Sequence, residues 1–210
     1  MGHAGMAAAA VRYLRSAGPP RAAEPVVEPL PRPALRAVAD DERAPVGPTE
    51  FRRVLGTFAT GVTVITAPAT EAGTSGPAGF ACQSFTALSL DPPLVAFMVA
   101  RTSTTWPRIA RAGVFCVNVL GAHQEDLCRG FAVSGSDKFA GVAHDPAPVS
   151  GAPRLAGATA WIDCTVHAVH TGGDHLIVVG RVNALGTPDE DAGDAAPLLF
   201  HRGHFGGFTV

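Results

Sequence analysis

The sequence predicts a mainly β protein with a few helices, arranged as a small antiparallel barrel. Short apolar and β-branched runs, bounded by Gly, Pro and Asp residues, give about six or seven strands against about two or three helices. Strands and helices do not alternate strictly along the chain, so a doubly wound parallel sheet is not expected. With 210 residues, of which 47% are hydrophobic, the chain has enough apolar side chains for a core.

Composition divides the chain into two parts, residues 1–47 and residues 48–210. The first part contains 12 Ala and 7 Pro residues but few large apolar side chains. Prolines at this density prevent continuous helix or sheet, and too little apolar surface is available to offset the entropy cost of ordering. We therefore expect a flexible Ala/Pro/Arg-rich extension followed by one folded domain over residues 48–210.

The folded part is expected to begin with an amphipathic helix just after Pro48. Thr49 is expected to cap this helix and Gly61 to end it. Four apolar residues recur at the spacing of one helix face, which predicts that they pack on the core. These residues are Phe51, Val54, Leu55 and Phe58.

The remaining apolar runs are predicted to be strands, with two further helices between them. One helix is expected to start after the hydroxyl residues at 103–105, and another to cover residues 123–131. Residues 132–153 are rich in Gly, Ser and Pro and are expected to form loops. The predicted strands cover residues 62–66, 85–90, 94–100, 114–120, 159–169 and 175–185, and two short apolar segments, residues 198–201 and 205–209, finish the chain.

Charge and cysteine content exclude several classes of protein. With 16 basic and 18 acidic residues the net charge is -2, so neither a nucleic-acid surface nor a polybasic membrane patch is expected. No apolar run is long enough to cross a membrane. The four cysteines form no CxxC pair and no metal-ligand spacing, so buried free thiols in a reducing, cytoplasmic compartment are expected, without a metal site.

Three segments contain residues suited to binding or catalysis, and each also has an ordinary structural interpretation. Residues 79–93 predict strand, bend and strand, and the polar Gln83 and Ser84 mark either a bulge or a ligand edge. The hydroxyls at 103–105 cap a helix start, which is also a place for a phosphate. Asp174 precedes His175 at a strand start, which is either a tight exposed turn or a carboxylate that orients an imidazole.

These segments belong to a set of motifs that stand in the order of a known family. The set comprises residues 51–66, GFACQSFTALSLDPPLV at 79–95, residues 103–106, FCVNVL at 115–120, DKFAG at 137–141, GGDH at 172–175 and PLLFHRG at 197–203. Together, residues 49–208 resemble the short-chain flavin reductases of two-component flavin-dependent monooxygenases. The GFACQSF segment is most similar to the reductases of actinobacterial steroid-ring hydroxylases.

The resemblance implies a fold, a reaction and partners. The fold is an FMN-binding split β-barrel, usually a homodimer with the flavin near the subunit interface. NADH or NADPH gives hydride to FMN or FAD, and the reduced flavin diffuses to a separate monooxygenase. This fold binds nicotinamide without a Rossmann domain, which agrees with the absence of a GxGxxG motif from the sequence.

The resemblance also assigns roles to individual residues. His175 would meet the nicotinamide nucleotide, and Asp174 would set its orientation; these two are the candidate catalytic residues. The flavin would be lined by Pro77, Ala78, Gly79, Phe80, Ala81, Gln83, Ser84, Met98, Val99 and Ala100, with Thr104 and Thr105 at its phosphate and Phe131 covering it. The rest of the nicotinamide-side wall would be Phe200, His201, Arg202 and Gly203.

Two departures from the family pattern reduce the positive charge expected near the phosphates. Gly130 stands where relatives often carry Arg, with Arg129 displaced by one position, and Thr104 stands where many carry a basic residue. Two other functions remain open. A non-catalytic FMN-binding or electron-transfer module on the same barrel is the main alternative. An enzyme like pyridoxamine-phosphate oxidase ranks last, because it wants a basic cluster for its substrate phosphate.

Overall fold

The structure, a computed structural model, describes residues 46–70, 76–135, 137–188 and 196–208. The helices are α1 (Pro48–Leu55), α2 (Trp106–Ala112) and α3 (Glu125–Ala132), with a 3₁₀ turn at Ala122–Gln124 before α3. The strands are β1 (Thr60–Gly61), β2 (Thr63–Ala67), β3 (Ala78–Cys82), β4 (Thr86–Leu90), β5 (Pro93–Ala100), β6 (Val114–Val119), β7 (His144–Pro146), β8 (Pro153–Leu155), β9 (Ala160–Gly172), β10 (His175–Gly186), β11 (Leu199–His201) and β12 (His204–Gly206). Residues 1–45 of the predicted extension lie outside the described residues.

The strands form one large antiparallel sheet and two small ones. The large sheet has seven strands in the order β3-β2-β6-β9-β10-β5-β4. Its centre is the β9–β10 hairpin, whose strands of 13 and 12 residues pair from Gly172 opposite His175 to Trp161 opposite Gly186. The small sheets are β1-β11-β12 and β7-β8. Among the described residues the mainly β architecture and the absence of β-α-β alternation are confirmed.

Strand β2 runs between two hydrophobic clusters, and every one of its residues is buried. Ile65 points into a cluster that contains Phe97 and Phe115, whereas Val64 points into a second cluster with Phe131. A strand covered on both faces needs apolar or β-branched residues at successive positions. This requirement explains why a continuous run without alternation predicted β2 correctly, within one residue at each end.

The first helix differs from its prediction in its ends and in its burial. Pro48 occupies the first helical position with Gly47 before it, so Thr49 lies inside the first turn and is not the cap. The helix ends at Leu55 with Gly56 after it, and the predicted terminator Gly61 lies in β1. No residue of α1 is buried, so the prediction that its apolar face packs on the core of the chain is wrong.

Other local predictions are confirmed in part. The Trp106 N–H donates to Ser103 Oγ at 3.2 Å, so one of the three predicted hydroxyls binds the start of α2, although the cap position is Thr105 and its side chain makes no capping hydrogen bond. The region 132–153 contains one strand that was not predicted, β7, which pairs with β8 just after it. Strands of three residues that contain proline carry too little apolar pattern to be recognised. Within the described ranges, no helix has the length and apolar character that a membrane crossing requires.

Candidate functional site

Two clefts lie at opposite ends of strand β3, and they differ in chemistry. A polar cleft of about 580 Å³ lies at the start of the strand. A large cleft of about 1600 Å³ lies just beyond its end, where Gln83 and Ser84 lead into β4. The strand itself is five residues long, so the two clefts are about 13 Å apart along the backbone from Gly79 to Gln83.

The polar cleft is built from β3, the start of α2 and the loop after α3. Its lining residues are Gly76, Pro77, Gly79, Thr104, Thr105, Arg108, Ser134, Gly135, Asp137, Lys138 and Phe139. Two threonine hydroxyls and two cationic side chains therefore face one small volume. A set of hydroxyl and cationic donors of this kind suits a phosphate.

Lys138 and Arg108 are fixed to the backbone on which the cleft is built. Lys138 Nζ donates to Gly79 O at 3.2 Å and to Phe131 O at 2.9 Å. One Arg108 terminal nitrogen donates to Gly76 O at 2.7 Å. Partial burial lowers the pKa of the Lys138 ammonium, because the charged form loses solvation. Neither residue was assigned from the sequence, although Lys138 is the sole lysine of the chain.

The large cleft lies between α1, the β3–β4 connection and the β11–β12 hairpin. Most of its lining is apolar, and its charged members are three arginines with no carboxylate. Its residues are Thr49, Phe51, Arg52, Arg53, Leu55, Gly56, Thr57, Phe58, Ala59, Thr60, Gly61, Val62, Thr63, Gln83, Ser84, Phe85, Thr86, Met98, Val119, Phe200, Arg202 and Gly203. A wide apolar cleft with a few polar groups is typical of sites for flat organic ligands.

Each of the two interpretations given to this segment applies to one of its polar residues, Gln83 and Ser84. Ser84 Oγ accepts the Met98 N–H at 3.0 Å and donates to Met98 O at 3.0 Å, so its hydroxyl ties the β3–β4 connection to β5. Gln83 is exposed at the edge of the large cleft. The serine therefore has a structural role, and the glutamine is the polar side chain offered to a ligand.

His175 and Asp174 form the hydrogen bond that the sequence suggested. His175 Nδ1 donates to Asp174 Oδ1 at 2.7 Å in the tight β9–β10 turn. This hydrogen bond from His175 lowers the pKa of the Asp174 carboxyl, with a smaller contribution from the Arg52 charge. The carboxylate is solvent-exposed, and neither residue lines one of the two clefts. The Arg52 contribution places the turn within electrostatic range of α1.

The two clefts bring together about half of the predicted site residues. Gln83, Ser84, Met98, Phe200, Arg202 and Gly203 line the large cleft, and Pro77, Gly79, Thr104 and Thr105 line the polar one. The predicted residues outside both are Ala78, Phe80, Ala81, Val99, Ala100, Phe131, Asp174, His175 and His201. Within the described ranges, no group of three or more His, Cys, Asp or Glu residues could hold a metal ion.

Phe131 does not have the exposure that its predicted role requires. Its ring is 1% exposed and stacks edge-to-face on Phe139, with centroids 5.1 Å apart. A Cβ atom on Gly79 would stand only 2.7 Å from Phe131 Cε1. Phe131 therefore supports the buried side of β3, and its ring is not available to cover a ligand in either cleft.

Solved structures with this architecture are flavin reductases and reductase components of monooxygenases. Component B of a nitrilotriacetate monooxygenase from Mycobacterium thermoresistibile is 48% identical and superposes with a TM-score of 0.70, covering 76% of this chain and 85% of that one. The Streptomyces globisporus NADH:FAD oxidoreductase SgcE6, solved with NAD and FAD fragments, is 37% identical with a TM-score of 0.69, covering 77% and 92%. The predicted split-barrel fold class is confirmed.

Sequence relatives are of the same kind. A flavin reductase from Pseudomonas putida is 45% identical over 175 residues, covering 83% of this chain and 98% of the relative. The reductase subunit HsaB of a flavin-dependent monooxygenase from Rhodococcus jostii (strain RHA1) is 48% identical over 162 residues, covering 77% and 78%. Residues 55–209 match the flavin reductase like domain. The chain therefore belongs to the flavin reductase-like family and is an oxidoreductase of that class, as its motifs predicted.

Proposed function

We propose that this protein is an NAD(P)H-dependent flavin reductase that transfers hydride to FMN or FAD and supplies diffusible reduced flavin to a separate monooxygenase. The observation that carries the proposal is the pair of clefts at the two ends of β3. A flavin mononucleotide is a flat apolar ring joined to a phosphate by an extended polar chain. The polar cleft, the strand and the large cleft offer the matching surfaces in the matching order.

The residues of the polar cleft fit the phosphate end of a flavin. Thr104 and Thr105 supply hydroxyl donors, and Lys138 and Arg108 supply cations that are already held by the backbone of residues 76–79. Donors fixed in advance lose little entropy on binding. Lys138 and Arg108 thus supply the positive charge that relatives often carry at the positions of Thr104 and Gly130.

The large cleft fits the flavin ring and the nicotinamide ring, which must be in contact for hydride transfer. Met98 and Phe200 give apolar contact, and Gln83 offers an amide at the edge. When both are bound, the nicotinamide supplies the hydride and the flavin ring accepts it. No acid, base or nucleophile of the protein is needed for that step, so the contribution of the chain is to hold the rings in contact and exclude water.

His175, oriented by Asp174, is proposed to contact the nicotinamide nucleotide. The hydrogen bond to Asp174 fixes the Nδ1–H tautomer, which leaves Nε2 as the atom available to the nucleotide. The pair is exposed at the β9–β10 turn and within electrostatic range of α1, which lines the large cleft. The role is one of binding, so its loss should act on KM more than on kcat.

A second copy of the chain is proposed to cover the apolar face of α1. Phe51, Val54, Leu55 and Phe58 are all exposed, and Phe58 is 76% exposed. The β4 edge strand adds Leu90, which is 90% exposed. Large apolar side chains exposed on one helix face favour an interaction site there. The four cysteines are buried free thiols, which need no oxidising compartment. The homodimer is therefore proposed to be cytoplasmic.

The test is to follow NADH and NADPH oxidation by the full-length protein with FMN, FAD or no added flavin. We expect rapid oxidation that depends on added flavin, and coupling to a monooxygenase through a dialysis membrane would show that reduced flavin diffuses. Protein-bound flavin without nicotinamide oxidation would instead establish the alternative, a non-catalytic FMN-binding or electron-transfer module. Comparing the four nucleotide combinations in one experiment also determines the flavin and nicotinamide preferences.

A further inference from the structure

The large cleft is positively charged, although most of its surface is apolar. Arg52, Arg53 and Arg202 line it, and no carboxylate from the described part of the chain does. Arg53 is occupied, because its Nε donates to Glu50 Oε2 at 2.8 Å. The guanidinium groups of Arg52 and Arg202 make no hydrogen bond and no ion pair with any residue that the structure describes. Two cations are therefore available to a ligand in this cleft.

Gly56 holds the backbones of Arg52 and Arg202 next to each other. Its N–H donates to Arg52 O at 2.9 Å, and its carbonyl oxygen accepts the Arg202 N–H at 2.8 Å. A Cβ at position 56 would stand 2.8 Å from Arg52 O and 3.7 Å from the Arg202 Cα. The Arg202 Cα stands at an ordinary contact distance, so the end of the helix and the β11–β12 turn are in van der Waals contact at Gly56. This contact places both arginine side chains on the same wall of the cleft.

The backbone of Arg202 adopts a left-handed conformation that is unfavourable for a residue with a side chain. Arg202 has φ 49°, and it is the only non-glycine residue with a positive φ in the described ranges. Gly203 follows with φ 83°, so the two residues form a hairpin turn in which Asn-Gly is the favoured pair. As far as the backbone is concerned, asparagine therefore suits position 202 better than arginine does.

The carboxylate of Asp174 is not the partner of Arg52. The two groups are not within the 4.0 Å of an ion pair, and Asp174 already accepts a hydrogen bond from His175. Arg52 also lies about 100° around the helix from Phe51, at the edge of the apolar face proposed to meet a second copy. Its guanidinium can therefore reach the cleft while that face is covered.

We propose that Arg52 and Arg202 together bind the diphosphate of a dinucleotide in the large cleft. A diphosphate carries two negative charges and several acceptor oxygens, which two guanidinium groups can match with paired hydrogen bonds. The assignment rests on the proposed function, which brings the nicotinamide ring to this cleft and the flavin phosphate to the polar cleft, so the dinucleotide is NAD(P)H. NADH and FAD both contain a diphosphate, whereas nicotinamide mononucleotide and FMN do not.

The test measures the binding of NAD⁺, nicotinamide mononucleotide, FAD and FMN by calorimetry, with the thermal midpoint of each full-length variant. Arg52→Ala removes one cation and keeps a strong helix former. Arg202→Asn removes the other and suits a left-handed backbone, so its thermal midpoint should stay or rise. Arg111→Ala is the control, because Arg111 is exposed on α2 and lines neither cleft.

We expect each cleft variant to weaken binding of one dinucleotide about tenfold or more, the change for loss of a hydrogen bond to a charged group. Weaker NAD⁺ binding with unchanged nicotinamide mononucleotide binding supports the site, whereas weaker FAD binding with unchanged FMN binding would contradict the placement of the flavin phosphate in the polar cleft and overturn the assignment. Equal losses for mononucleotides and dinucleotides, or no losses, would overturn the assignment. Wild-type protein that neither binds nor oxidises NADH would refute the proposed function itself, and the diphosphate site with it.

Discussion

Replacing Gly79 with alanine tests the packing that shapes the backbone between the two clefts. The new Cβ would stand 2.7 Å from Phe131 Cε1 and 3.2 Å from Ile65 O. Ordinary contacts are 3.4–4 Å, so the ring and the strand must separate by at least 0.7 Å. Phe131 is 1% exposed and its ring packs on Phe139, so the ring cannot move freely. Ile65 O belongs to the backbone of the neighbouring strand, so it cannot move freely either.

The expected cost follows from two opposing effects. Gly79 has no positive φ, so alanine suits its backbone and would by itself stabilise the fold by about 0.4–1 kcal/mol through the unfolded chain. Overpacking of a filled core costs about 1–3 kcal/mol. We therefore expect Gly79→Ala to lower the free energy of unfolding by roughly 1–2 kcal/mol. Flavin affinity should also fall, because Gly79 O anchors Lys138 in the polar cleft.

Urea unfolding of four proteins separates this mechanism from others. The set is wild type, Gly79→Ala, Phe131→Leu and the double variant. A smaller side chain at 131 makes room for the new methyl group, so the double variant should lose less stability than the sum of the singles. Gly130→Ala is the matched control, because its Cβ meets nothing within 4 Å and alanine favours a helix. Additive losses, or a stabilised Gly79→Ala variant, would refute the steric argument.

Four further predictions follow from the site and its surroundings. Lys138→Met should weaken FMN binding about tenfold or more and leave riboflavin, which has no phosphate, little changed in fluorescence titrations. His175→Ala should raise the KM for NADH with kcat nearly unchanged in steady-state kinetics. Phe58→Asp should convert a homodimer to monomers in light scattering without loss of fold, since Phe58 is 76% exposed in the single chain. Burial, with a smaller contribution from the Asp163 charge, raises the pKa of the Cys116 thiol to about 12 from an ordinary 9.0. All four cysteines are buried, so none should react quickly with a thiol reagent in the native protein. Stability should fall as pH rises from 9.0 towards about 12, because the unfolded chain loses a proton there that the folded chain keeps.

Each of these predictions has a contradicting result. Equal losses of FMN and riboflavin affinity would show that Lys138 only supports the fold. An unchanged KM in His175→Ala would remove the nicotinamide role. Val149→Asp is the control for the interface variant, because Val149 is 63% exposed on a loop away from α1; a dimer that persists in Phe58→Asp would place the interface elsewhere. Rapid labelling of native thiols would contradict the burial of the cysteines.

The strands were predictable where burial on both faces or a hairpin dictated the residue types. The β-branched run that became β2 and the apolar run that became β5 needed no knowledge of their neighbours. The start of α1 was less predictable, because Gly47 and Thr49 both suit a helix cap and the position of Pro48 decided between them. In the same way the two prolines within β7 and β8, Pro146 and Pro153, concealed a short sheet.

Only some of the residues that line the polar cleft were predictable from the sequence. Thr104 and Thr105 were found because a helix start is a local signal. Lys138 was not, because its ammonium reaches Gly79 O across 59 positions of sequence, and only the fold brings them together. The polar cleft therefore contains a cationic side chain from a loop, where no pattern of spacing indicates it.

The apolar face of α1 shows what a periodic pattern does and does not determine. The spacing of Phe51, Val54, Leu55 and Phe58 is evidence that this face is covered in the working protein, since full burial of each side chain is worth about 1.5–3 kcal/mol. The pattern does not distinguish the core of its own chain from the surface of another. The folded chain leaves all four exposed, and α1 forms a wall of the large cleft, so the second copy proposed to cover them would also border the proposed nucleotide site. Dimer formation and nucleotide binding are therefore expected to be linked, and a variant that dissociates the dimer should also raise the KM for NADH.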